Sequence, residues 1–300
     1  MRLRWMLLAP MTVVAAYAAQ ACGGHGDAQT MVVATAWLGA HINDPNLVIL
    51  AIGDNADYDR GHIPGALSVA RQDIANRLSP LTLELPPIDD LVSAFEKLGV
   101  SNDSRIILYV SKDRITETSR VFLTLDSMGL GRQTALLDGG LPAWQTEGRA
   151  VSKEVRAVKR GNITPCPQSD VIVDADYIKS NLRHKGIAVV DARLPEYFTG
   201  ASAGMGKRAG HIPGATNLPF STLVDDQGKL WPAGRLRELF DHAGIHSADR
   251  VVSYCHIGQQ ATLVYFVARY LGHDARLYDG SWEDWSAHAE RPAETSANRQ

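Results

Sequence analysis

The chain has 300 residues, 45% of them hydrophobic and 21% charged, the proportions of an ordinary globular protein with room for about two domains. Its formal net charge is −3, and the stretch from Cys22 onward carries −5. An acidic body without clustered Lys or Arg excludes nucleic acid as the main partner, while small anions stay open.

At the N-terminus, Arg2 and Arg4 precede an apolar stretch from Met6 to about Ala19, shorter than the ~20 residues that span a bilayer. Ala19-Gln20-Ala21 then offers a small-residue cleavage site, so residues 1–21 read as a signal peptide and the protein as periplasmic or secreted. Cys22 directly after that site also permits an acylated N-terminal cysteine that anchors the protein to a membrane, although Ala19 and Gln20 stand where a lipobox has Leu and Ala. Gly23, Gly24 and Gly26 mark residues 22–30 as a flexible tail.

From Met31 to about Ala150, short apolar runs alternate with helical periodicity. Val48 to Ile52 predicts a strand, Ile88, Leu91, Val92, Phe95 and Leu98 share one helix face stopped by Gly99, and Ile106 to Val110 predicts a second buried strand. Residues 151–169 are polar, contain Pro165 and Pro167, and lack periodicity, so they read as a linker. Residues 170–290 repeat the alternation: Val189-Val190-Asp191-Ala192-Arg193 answers Ile49 to Gly53 at an offset of 140 residues, and Gly210-His211-Ile212-Pro213-Gly214-Ala215 answers Gly61 to Ala66 at 149. Tyr109 pairs with Tyr254, and Trp144 with Trp285. Residues 291–300 read as a frayed tail. The alternation predicts an α/β fold: two tandem domains, each a parallel sheet with helices on both faces and its ligand site outside the carboxyl ends of the strands.

Cys255 occupies such an end, after Val251 to Tyr254 and before the helical pattern of Leu263, Phe266, Val267 and Tyr270. The N–H groups at a helix mouth favour an anion, and the thiolate is the nucleophilic form of cysteine. Gly258 allows the loop His256-Ile257-Gly258-Gln259-Gln260-Ala261 to fold into a tight cradle. In the first half Val110 stands opposite Cys255, while Ala51 and Gly53 stand opposite Asp191 and Arg193, so that half lacks a nucleophile. His62 and His211 recur in both halves and are therefore assigned to the turns rather than to a metal site. No cofactor or metal is called for. Cys166 lies between Pro165 and Pro167 as a linker residue, with a resolving role toward Cys255 as the alternative; three cysteines suggest no disulfide framework.

Together, the doubled G-H-I-P-G-A turn, the V-D-A-R strand end, the loop from Cys255 to Gln260 and the run Asp279-Gly280-Ser281-Trp282-Glu283-Asp284-Trp285 resemble the two-domain rhodaneses, sulfurtransferases of the thiosulfate and 3-mercaptopyruvate type. The resemblance implies that Cys255 takes a sulfane sulfur from a small anionic donor, thiosulfate ahead of 3-mercaptopyruvate, and passes it as a persulfide to cyanide or a thiol. It assigns Asp191 and Arg193 to positioning and charge balance, a role compatible with a plain salt bridge at the strand end. Two departures bear on the donor. The loop reads C-H-I-G-Q-Q, unlike the C-R-K-G-V-T and C-G-S-G-V-T loops of the two types, and Tyr197, with Glu196 before it, stands where an arginine is common. Lys207 and Arg208 are candidates for replacing that charge. His256 is expected to add charge as it titrates near ~6.5, so thiosulfate turnover should rise as pH falls toward that value.

Two rival functions share features of this site. Cysteine phosphatases need C-x5-R to grip phosphate, and the required position here is Ala261. The other is an exported persulfide carrier, or a redox-sensing or partner-binding module, that turns over no small donor.

Overall fold

In a computed structural model the described residues are 31–76, 79–112, 115–168, 170–205 and 208–295. The signal peptide, the glycine tail with Cys22, Lys207 and residues 296–300 lie outside them.

The first half runs β1 (Val32–Val33), α1 (Thr35–His41), β2 (Leu47–Ile52), α2 (Asn55–Arg60), β3 (Leu67–Val69), α3 (Ile88–Lys97), β4 (Arg105–Val110), α4 (Ile115–Ser127), β5 (Thr134–Leu137) and α5 (Gly140–Thr146). The second repeats it as β6 (Ile172–Val173), α6 (Ala175–Ser180), β7 (Ile187–Asp191), α7 (Pro195–Thr199), β8 (Thr216–Asn217), α8 (Ala233–His242), β9 (Arg250–Tyr254), α9 (Ala261–Tyr270), β10 (Ala275–Tyr278) and α10 (Ser281–Ala287). The sheets have the same order, β1-β5-β4-β2-β3 and β6-β10-β9-β7-β8, with every pairing parallel. β2 and β4 are nearly continuous apolar runs because helices cover both faces of such a sheet.

Helices α4 and α9 explain how the halves join. Unlike the one-sided α3 and α8, α4 is buried all round from Thr118 to Asp126 and α9 from Ala261 to Arg269. They pack against each other, with Phe122 edge-on to Phe266 at 4.8 Å, so one hydrophobic core runs through both halves. Polar pairs lock the seam: Tyr265 donates to Asp126 at 2.5 Å, Arg269 pairs with Asp126 at 2.9 Å, and the hydroxyls of Ser119 and Thr262 lie 2.8 Å apart.

The two G-H-I-P-G-A turns are built alike. His62 stacks on Tyr58 and His211 on Phe198, both at 3.8 Å, and each ring nitrogen Nδ1 lies within hydrogen-bonding distance of a main-chain carbonyl, that of Tyr58 or Phe198. The following N–H donates to a buried tyrosine hydroxyl, Ile63 to Tyr109 and Ile212 to Tyr254.

The segment expected to be a linker has neither helix nor laddered strand between Val151 and Gln168, yet it is tied to the first half. Gly161 N–H donates to Glu96 O at 2.8 Å, Ile163 N–H to the Glu96 carboxylate at 3.0 Å, and Cys166 N–H to Met128 O at 2.9 Å. The tail expected to fray from Arg291 is instead anchored through Glu294, whose backbone exchanges hydrogen bonds of 2.8 and 2.9 Å with His211. Among the described residues no helix is long and apolar enough to cross a membrane.

Candidate active site

The site forms where β9 ends and α9 begins. Cys255 is fully buried and its thiol is free. Its N–H donates to Ser281 Oγ at 3.2 Å, and Ser281 Oγ donates in turn to Tyr278 O at 2.9 Å. Ser281 makes this contact from a left-handed backbone, φ 53°, which is unfavourable for any residue with a Cβ.

The loop after Cys255 is held from outside by its carbonyls. Helix α10 begins beneath it, and two N–H groups of its first turn, which have no partner inside the helix, donate outward: Trp282 to Cys255 O and Glu283 to His256 O, both at 2.9 Å. Gly258, at φ 77°, turns the chain, and its carbonyl accepts from Arg120 at 3.2 Å. Thr262 holds Gln259 O at 2.6 Å through its hydroxyl. A trans peptide points its carbonyl and the next N–H in opposite directions, so carbonyls tied outward leave the N–H groups on the inner side of the loop, where the thiol is buried. Among the described residues no protein group accepts from the N–H groups of His256, Ile257, Gly258, Gln259, Gln260 or Ala261. Such a nest of unpaired donors is a binding site for an anion.

A buried ion pair stands at the end of the neighbouring strand β7, where Asp191 is in register with Tyr254. Arg193 and Asp191 are both fully buried: Arg193 Nε donates to Asp191 Oδ1 at 2.9 Å, and its Nη2 donates to Asp191 Oδ2 at 2.5 Å and to Gly210 O at 2.8 Å. Burial opposes the Arg193 charge, but Asp191, with Cys255 also nearby, outweighs it and holds the pKa of the guanidinium above its ordinary value. Nη1 of Arg193 is buried without a hydrogen-bond partner, while the guanidinium lies 4.7 Å over the Trp282 ring. The salt bridge and the charge-balancing role thus coincide in one pair.

His256 differs from expectation. Burial, followed by repulsion from Arg193, pushes its pKa down to about 4, so the imidazole is neutral at mildly acid pH and adds no charge to the site there. It packs edge-on against Tyr197 with ring centroids 4.6 Å apart. Glu196 is exposed, and Arg208 faces elsewhere: its guanidinium donates to the carbonyls of Trp285, Ser286, His288 and Arg291, closing the C-terminal turn. The chain's own carbonyls thus use the arginine that sequence proximity had offered to the donor.

Outside the loop lies a cleft of about 700 Å³ between the halves, bounded by Ile115 and Pro142 from the first and by Phe220, Val224, Ile257 and Gln259 from the second. Lys112, Glu117, Asp225 and Asp226 are charged residues that line it. No group of His, Cys, Asp and Glu able to hold a metal occurs among the described residues. Cys255 is a free thiol, so Cys166 is not joined to it and does not resolve it in this structure. Position 261, where a phosphatase would carry arginine, is a buried alanine.

Rhodanese-like domains match the chain at residues 34–147 and 174–288, one in each half. The chain belongs to the rhodanese family. It is 32% identical over 272 residues to the sulfur carrier protein TtuD of Thermus thermophilus, covering 85% of this chain and 93% of that one. It is 30% identical over 269 residues to a thiosulfate sulfurtransferase of Azotobacter vinelandii, covering 88% and 97%. Its fold matches the crystal structure of the 3-mercaptopyruvate sulfotransferase SseA from Escherichia coli with a TM-score of 0.76 at 26% identity, over 84% of this chain and 99% of the other.

The sequence names Asp279 and Ser281 only within the run that carries the resemblance, with no role for either, and does not single out Arg120. Arg120 did leave a signal: it is the one basic residue of α4 and is followed directly by Val121, Phe122 and Leu123.

Proposed function

We propose that the protein is a sulfurtransferase in which Cys255 carries sulfur between a small anionic donor and a thiophilic acceptor. The observation that carries this reading is the free, buried thiol inside a loop whose N–H groups have no protein acceptor. The Cys255 thiolate attacks the outer sulfur of thiosulfate, an S–S bond forms as the donor S–S bond breaks, and sulfite leaves with the bonding pair. Cyanide or a thiol then attacks the outer sulfur of the persulfide and returns Cys255 to thiolate. The nest and Arg193 face a negative sulfur in both resting states, so the same donors serve both halves of the reaction.

Thiosulfate is favoured over 3-mercaptopyruvate on chemical grounds. A carboxylate is best gripped by a bidentate arginine, but Arg193 is engaged with Asp191 and Arg208 with the C-terminal carbonyls, whereas a sulfonate can be met by backbone N–H groups. Steady-state release of sulfite from thiosulfate with cyanide as acceptor tests the reading, with Cys255→Ser as control. Turnover that disappears in the control is expected. A protein that takes sulfur once but never turns over would favour the carrier reading, which the resemblance to TtuD also supports.

We also propose that the protein is exported, cleaved after Ala21, and either secreted or acylated at Cys22. Arg2 and Arg4, the apolar stretch that follows them and the Ala19-Gln20-Ala21 site support this reading. Intact mass of the mature chain distinguishes acyl groups on Cys22 from a free N-terminus, and a mature chain that retains Met1 would refute export.

A further inference from the structure

Arg120 belongs to α4, in the half without a nucleophile, yet it reaches the active loop of the other half. It is 1% exposed. Its Nη1 donates to Gly258 O at 3.2 Å and to Asp279 Oδ1 at 2.5 Å, and its Nη2 donates to Asp279 Oδ2 at 3.3 Å and to Leu83 O. Asp279 is held in turn by Leu85 N–H at 3.0 Å, so the first half grips this carboxylate from two places. Gly258 sits tightly against the pair: a Cβ added to it would lie 2.7 Å from Asp279 O and 2.8 Å from Asp279 Oδ1.

The consequence is in the peptide that follows. The carbonyl of Gly258 and the N–H of Gln259 share one trans peptide plane and point in opposite directions. Neighbouring peptides are aimed by α10, which belongs to the catalytic half, through Trp282 and Glu283. At Gly258, where glycine leaves the backbone free to rotate, the tether comes from across the domain boundary.

We propose that Arg120 is a positioning residue of the sulfur site, turning the Gly258–Gln259 peptide so that the Gln259 N–H faces the Cys255 sulfur. The half that carries no nucleophile thereby completes the anion nest of the half that does. This rests on the reading of Cys255 as the sulfur-accepting nucleophile.

The test uses the full-length protein with Arg120→Lys and with the charge-neutral double variant Arg120→Met/Asp279→Asn, which leaves no carboxylate buried alone. Misaiming one donor should slow sulfur uptake at saturating thiosulfate by about 10²-fold in the double variant. Arg120→Lys, which keeps the charge but not the fork, should recover part of that loss, while KM changes little. A second readout needs no sulfur donor: the ratio of Cys255 alkylation rates with anionic iodoacetate and neutral iodoacetamide, compared at matched near-ultraviolet circular dichroism. The ratio should fall by about tenfold in the double variant as one anion-facing N–H is lost. Unchanged uptake and an unchanged ratio in the folded double variant would overturn the proposal. A wild-type protein that takes sulfur from no donor would refute the sulfurtransferase reading, and the alkylation ratio would still decide the role of Arg120.

Discussion

The two halves share a sheet order and a turn, and they differ where chemistry is done. Tyr109 and Tyr254 accept the same turn hydrogen bond, and His62 and His211 stack in the same way. At the strand ends, Val110 stands against Cys255, and Ala51 and Gly53 against Asp191 and Arg193. The pair Gly140 and Ser281 is the most instructive. Both adopt a left-handed backbone, φ 55° and 53°, but the first half uses glycine there and the second a serine. A Cβ on Gly140 would lie 2.5 Å from the Val110 side chain and 2.6 Å from its carbonyl, whereas Ser281 fits beside Cys255 and holds its N–H. The catalytic half keeps a strained residue because its hydroxyl fixes the nucleophile.

This comparison can be broken in graded steps. Cys255→Ser should abolish sulfur uptake altogether, and Val110→Cys in the same protein should not restore it, since Ala51 and Gly53 stand in the first half where the second has the Asp191–Arg193 pair; recovery by Val110→Cys, read by sulfite release, would show that the strand end alone suffices. Gly258→Ala forces a Cβ into Asp279 at φ 77°, so uptake should fall about 10²-fold. Ser281→Gly relieves a strain of about 1–2 kcal/mol while losing hydrogen bonds of about 1 kcal/mol each. Stability by chemical denaturation should therefore move by less than about 1 kcal/mol while uptake falls roughly tenfold. The reverse change, Gly140→Ser, should cost about 1–3 kcal/mol of stability with no gain of activity, because Val110 occupies the space.

The smallest effect concerns pH. With its pKa pushed down to about 4, His256 is neutral through the mildly acid range, so wild type and His256→Ala should show the same shape of uptake profile between about pH 5 and 8. A wild-type rise toward the ordinary histidine range, lost in the variant, would contradict the buried, neutral imidazole. The stability effect has a definite sign. The native pKa lies below the unfolded one, so His256 contributes stability that is present above about pH 6.5 and is lost as pH falls toward about 4, measurable as a loss in denaturation midpoint that His256→Ala reduces.

Much of this was legible in the chain. The repeat announced two sheets because identical turns recur in the same order, and Cys255 declared itself through a buried strand running into a glycine-bearing loop and a helix. Arg120 did not, because its partners lie 138 and 159 residues away and periodicity assigns burial without naming a neighbour. Ser281 stood in the Asp279 to Trp285 run, but its role was hidden because sequence does not show φ. His256 was misjudged because the ordinary imidazole value omits burial and Arg193. Arg208 was credited by proximity along the chain, while the C-terminal segment that captures it comes about 80 residues later.

The most direct measurement is intact mass of the protein after incubation with thiosulfate and removal of excess donor. The account predicts a gain of one sulfur atom, absent in Cys255→Ser and discharged by cyanide. No gain in the wild type, or a gain that survives Cys255→Ser, would contradict it.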